Sequence, residues 1–173
     1  MKKTAIILLI LLLLSLGCTQ TKDDGTVMLQ FTKLKQDYKV QEAFSPNIVT
    51  MNDYINDLSE LRAEGSVFVS KVLDAELASA QSFYYLIIAY DASTGIDFFP
   101  SKCSLQEIRN SKSYLKTLKH LNLSIIKSNK ATELLASLNA AELEQLRDNQ
   151  LLMVKQYAAQ SEKLKADLSA ICS

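Results

Sequence analysis

Apolar residues recur every three to four positions through most of the chain, and strict apolar–polar alternation is nowhere sustained. Such spacing lays one apolar stripe along a helix and leaves no run suited to a half-buried strand. The pattern predicts an all-α protein. Val27, Phe31, Leu34 and Tyr38 mark a first helix over residues 26–44. Ser45-Pro46 ends it, because proline disfavours helical geometry in the residue before it. Pro46 suits the opening of the next helix, which carries Ile48, Met51, Ile55, Leu58 and Leu61 inward. Gly65 could cap that helix, with Ser66 starting another. The stripe nevertheless continues in phase through Phe68, Val72, Ala80, Phe83, Ile87 and Tyr90. This favours one long helix over residues 47–91, despite the ~1 kcal/mol cost of an internal glycine.

Residues 92–101 form the one long irregular stretch inside the predicted domain. Ser104-Leu105-Gln106-Glu107 then has the form of a capping box, and Ile108, Leu115, Leu118, Leu121 and Ile125 continue a helix over residues 104–137. A second start follows, with Asn139 as N-cap, Glu142 closing the box, and Leu138 against Leu143 as a hydrophobic staple. The last helix runs over residues 140–172 through Leu146, Met153, Tyr157, Leu164, Leu168 and Ile171. These two helices are nearly equal, each about 50 Å long at 1.5 Å per residue. A tight turn between them makes them pack antiparallel. The expected architecture is an antiparallel bundle of four to five helices with a long C-terminal helical hairpin.

The N-terminal segment belongs to a different class. Lys2 and Lys3 precede an apolar run over residues 5–16, followed by Gly17-Cys18. A dozen residues span only about 18 Å as a helix, short of the ~30 Å hydrocarbon core, so an export signal fits better than a membrane span. Leu14-Ser15-Leu16-Gly17-Cys18 resembles the lipobox of prokaryotic lipoproteins, with Ser15 and Leu16 departing from its commonest residues. The resemblance implies cleavage before Cys18, lipid on its sulfur, and anchorage to the outer side of a membrane. Ser15 and Gly17 also satisfy the rule for ordinary secretory cleavage, which leaves plain secretion as the alternative. The chain accordingly divides into a signal peptide at 1–17, a polar tether at 18–25 and one helical domain at 26–173.

The full chain has 19 basic and 19 acidic side chains, and loss of Lys2 and Lys3 with the signal leaves the remainder mildly acidic. An unclustered, mildly acidic surface gives no reason to bind nucleic acid. Setting Cys18 aside for lipid leaves two of the three cysteines, Cys103 and Cys172. They fall at the start of one hairpin helix and the end of the other, and an exported protein favours their pairing as a structural disulfide.

The inventory excludes most familiar catalysts. His120 is the single histidine, and its helical neighbours Lys116, Thr117, Leu123 and Ser124 are poor metal ligands. No Glu-x-x-His pair, C-x-x-C-H, G-x-S-x-G or glycine-rich phosphate loop occurs. Glu60, Glu64, Glu142 and Glu144 have the spacing of solvated helix faces, so no acid–base pair, metal or cofactor is assigned. Asn122-Leu123-Ser124 matches a glycosylation sequon within a predicted helix. The most suggestive apolar feature is the run from Phe83 to Tyr90, followed by Ile96, Phe98 and Phe99. Tyr84, Tyr85, Tyr90, Phe98 and Phe99 could frame an apolar ligand, or simply close the core. The sequence therefore points to a non-catalytic lipoprotein that meets an envelope or surface protein in a structural or adaptor role. A small apolar-ligand or partner-binding module is the alternative.

Overall fold

The computed structural model describes residues 23–39, 48–98 and 104–171. Among these residues every regular element is helical: α1 Asp24–Asp37, α2 Ile48–Glu64, α3 Val67–Ser93, α4 Leu105–Asn110, α5 Lys112–Ser137, α6 Ala140–Leu143 and α7 Gln150–Ala170. Cys18, Phe99, Cys103 and Cys172 lie outside the described residues. The all-helical class agrees with the apolar period.

α3 is the central helix, touching α1, α2, α5 and α7. Its composition explains this position. Val69, Val72, Leu73, Ala75, Ala78, Ala80, Leu86 and Ala89 are all buried, so the helix is covered on several faces rather than along one stripe. Two apolar clusters form around it. The larger joins Val27 and Phe31 of α1, Met51, Tyr54 and Leu58 of α2, Val72 and Leu73 of α3, Leu135 of α5 and Val154 of α7. The smaller joins Leu86 and Ala89 to Tyr114, Leu121, Leu164, Leu168 and Ile171.

Between the clusters lies a layer of buried serines. The Ser82 and Ser128 hydroxyls lie 2.5 Å apart, Ser124 Oγ donates to the Ser82 carbonyl at 2.9 Å, and Ser161 Oγ donates to Ser124 Oγ at 2.9 Å. Small side chains let α3, α5 and α7 approach closely, and their mutual hydrogen bonds offset the cost of burying hydroxyls. Ser124, the third residue of the sequon, is thus enclosed between helices.

Several helix ends differ from the sequence reading, each for a local reason. α1 stops at Asp37 rather than continuing toward residue 44, because Lys39 adopts φ 51° and the Tyr38 and Lys39 amides turn back to the carbonyls of Leu34 and Gln36. The long helix expected over residues 47–91 is interrupted at Gly65-Ser66. Ser66 is extended, and its hydroxyl accepts from the Val69 amide at the start of α3. Asp24 of α1 secures the break, with one carboxylate oxygen accepting from Ser66 N at 3.3 Å and the other from Ser66 Oγ at 2.7 Å. Phe68, expected on the inward stripe, is consequently exposed, and Val69 faces the core.

The helix expected over residues 104–137 divides in the same way. Ser111 is extended and caps α5 by accepting from the Tyr114 amide at 3.2 Å, whereas Ser104 makes no capping hydrogen bond. The Asn139–Glu142 capping box forms as expected: Glu142 N donates to Asn139 Oδ1 at 3.0 Å, and Asn139 N donates to Glu142 Oε2 at 2.7 Å. Glu142 is therefore buried, not a solvated face residue. The following helix is not continuous. α6 ends after one turn, Asn149 takes φ 62°, and α7 begins at Gln150.

Candidate functional site

The chemically densest place in the described residues is Glu76. It sits on α3 between Leu73 and Ala80, on a face whose one other buried polar side chain, Ser79, bonds back to its own helix, and it is fully buried. Both carboxylate oxygens accept strong hydrogen bonds: Tyr54 Oη of α2 donates to Oε1 at 2.7 Å, and Gln150 Nε2 of α7 donates to Oε2 at 2.6 Å. Lys35 of α1 is also buried, donates Nζ to the Gln145 carbonyl, and lies 4.5 Å from the Phe31 ring centroid. One carboxylate thus ties α2 to α3 and α7, and the adjacent lysine ties α1 to the segment before α7.

The electrostatics follow from burial. Loss of hydration lowers the Lys35 pKa, the Glu76 charge raises it in partial compensation, and Arg147 lowers it further. Burial raises the Tyr54 hydroxyl well above the ordinary phenol value, reinforced by the charge of Glu76 and the hydrogen bond to it, and opposed by Arg147. Tyr157 is raised for the same leading reason, with Arg147 opposing and Glu76 assisting. Both oxygens of the Glu76 carboxylate are matched by protein donors, whereas the buried Nε of Arg147 makes no hydrogen bond among the described residues. A general base needs a substrate proton within hydrogen-bond reach, whereas each oxygen of Glu76 already faces a protein donor. Its evident job is to fix four helices against one another.

Gln150 also lines a cleft of about 470 Å³ where α5 gives way to α7. Leu135, Leu143, Leu146 and Leu151 supply apolar wall, and Glu144, Arg147 and Asp148 supply charges of both signs. The mixture presents no single-sign field to select an ionic ligand.

The aromatic residues singled out in the sequence are separated. Tyr84 packs on the larger cluster and Phe98 on the smaller, on opposite sides of the serine layer. Tyr84 and Tyr85 rings lie 5.5 Å apart, and Tyr85 lies 6.1 Å from His120 of α5. Tyr90 is 46% exposed. Phe98 lines an open cleft of about 500 Å³ with Leu164, Asp167, Ala170 and Ile171 of the chain's last helix and its end. His120 is half-buried, with Nδ1 2.7 Å from the Lys116 carbonyl. No group of three or more His, Cys, Asp or Glu side chains suited to a metal ion occurs among the described residues.

The Glu76 cluster escaped the sequence reading, although a signal for it exists. Glu76 stands four residues after Val72, three after Leu73 and four before Ala80, which puts it on the inward face. A charge there requires a partner, and Tyr54 occupies an inward position on the preceding helix.

No protein-family model, no curated protein and no solved structure matches this chain. No described helix is long and apolar enough to cross a membrane.

Proposed function

We propose that this chain is a non-catalytic lipoprotein, exported and held to the outer side of a membrane by lipid on Cys18. The helical domain serves a structural or adaptor role toward an envelope or cell-surface protein. The observation that carries this reading is the lipobox-like Leu14-Ser15-Leu16-Gly17-Cys18 at the end of an export signal. The described helices are consistent with it: α1 begins at Asp24, so little chain separates the domain from the anchor. Both oxygens of the buried Glu76 carboxylate are engaged by protein donors, which favours a scaffold over a catalyst. Intact mass of the membrane-extracted protein is expected to show a chain beginning at Cys18 and carrying lipid. A mature chain with an unmodified Cys18, or one cleaved elsewhere, sinks the anchor.

The domain is an antiparallel bundle in this reading, with residues 104–172 as its hairpin and Cys103 joined to Cys172. Ser124 bonds to Ser161, while Leu135 and Leu151 share one cleft, as helices running in opposite directions require. Ile171 is buried in the same apolar cluster that receives Phe98 and Ile108, neighbours in sequence of the two cysteines. This shared cluster supports the pairing.

A second reading, binding of a small apolar ligand, is favoured by the cleft at Phe98. A fluorescent long-chain hydrocarbon probe then binds saturably, and Leu164→Glu abolishes that binding. A linear, unsaturable signal unaffected by the substitution removes this alternative.

A further inference from the structure

We propose that Val67 and Phe68 form an apolar wedge by which the anchored domain rests on the lipid surface. The inference builds on the lipid-anchored reading above and adds which end of the domain meets the bilayer. Val67 is 83% and Phe68 56% exposed, side by side at the start of α3. Their presentation is built in, since Ser66 breaks the helix, caps α3 and is held by both carboxylate oxygens of Asp24. The same two hydrogen bonds fasten the wedge to the start of α1, where the tether from Cys18 arrives. Six residues of extended chain reach at most about 21 Å. α3 has 27 residues and is about 40 Å long. The tether is thus about half the length of the central helix, and it keeps the Asp24–Ser66 end nearest the membrane.

The surrounding charges decide what kind of surface fits. Asp23 is exposed beside this end, Asp24 is engaged with Ser66, and Lys71 stands one turn further along α3. This balance offers no attraction to anionic headgroups, so the contact is one of apolar side chains entering the interface. An apolar pair held at the surface by a neighbouring anchor needs only modest affinity, because the tether supplies a high local concentration.

The chain contains no tryptophan, so Phe68→Trp gives a single fluorescent reporter. The lipidated variant is purified from membranes and reconstituted into phosphatidylcholine vesicles with brominated acyl chains. Co-flotation with the vesicles, a blue-shifted emission and quenching of at least twofold are the expected results. Ile126→Trp, at a 59% exposed position on α5, should float equally and keep aqueous, unquenched emission. Flotation without quenching of the Phe68→Trp reporter overturns the wedge while leaving the anchor intact. Equal quenching at both positions overturns it too, since the domain then lies on the bilayer without preference. Blue-shifted emission before vesicles are added assigns the pair to a protein contact, against the proposal. A chain that does not float lacks the anchor, and both readings fall.

Discussion

Replacing Glu76 with alanine is expected to destabilise the fold by about 3–5 kcal/mol, the range for removing one partner of a buried charged network. The substitution leaves Tyr54 Oη and Gln150 Nε2 buried without their acceptor, at 2.7 Å and 2.6 Å in the intact protein. It also removes the negative charge that partly compensates the buried Lys35. Each loss acts in the same direction, because unsatisfied buried donors and an uncompensated cation both favour the unfolded, hydrated state. Changing the cluster as a unit should be gentler. Glu76→Leu combined with Tyr54→Phe and Gln150→Leu removes both donors along with the acceptor and should recover part of the loss, while the lost compensation of Lys35 and the lost Gln150 Oε1 acceptor for Arg147 N remain as costs. Urea unfolding of the two variants against the wild type measures the difference. If Glu76→Ala unfolds at the wild-type midpoint, the cluster does not hold the helices together.

Cys172→Ser, studied under oxidising conditions, should cost about 4 kcal/mol if Cys103 and Cys172 are joined. The closed loop of about 70 residues restricts the unfolded chain, and the chain-entropy argument puts that restriction at this upper-end figure. Ile171, Ile108 and Phe98 pack on one apolar cluster, which is compatible with the crosslink. Reducing the wild type should bring its urea midpoint down to that of the variant, and the variant should be insensitive to reductant. A wild-type midpoint that does not move on reduction, or peptide mapping that recovers the two cysteines unpaired, rejects the crosslink.

The helical class was legible because Phe31, Leu58 and Val72 sit on stripes of helical period, and all three are buried. The Asn139–Glu142 box was legible because both of its hydrogen bonds lie within four residues. The local pattern offered the break, with Gly65 as a cap and Ser66 as a start, but the contact that secures it comes from Asp24, 42 residues away. A persistent apolar phase was therefore a poor guide there: the chain could keep its period and still exchange one helical turn for a cap. Ser111 repeats the lesson, taking the capping role expected of Ser104. Asn149 turns at φ 62° without glycine, so the usual marker of a left-handed turn was missing. In the aromatic region, sequence proximity of Tyr84 and Phe98 suggested one cluster. The helix that carries Tyr84 continues to Ser93, which delivers the two rings to different halves of the core.

The serine layer also acts as a ruler. Apolar contacts between long helices rich in leucine and alanine change little when one helix slides by a turn, because another similar side chain takes the vacated place. Hydrogen bonds cannot be exchanged so freely. A slip of one turn, about 5.4 Å, would separate Ser161 from Ser124 and Ser124 from the Ser82 carbonyl, leaving buried hydroxyls with apolar neighbours. A single polar pair in a coiled-coil seam fixes lengthwise alignment by the same logic. Here the alignment determines what meets at the two ends of the bundle: Phe98 against Ile171 at one, and Glu76 against Gln150 toward the other. Four buried serines thereby hold the molecule to one length.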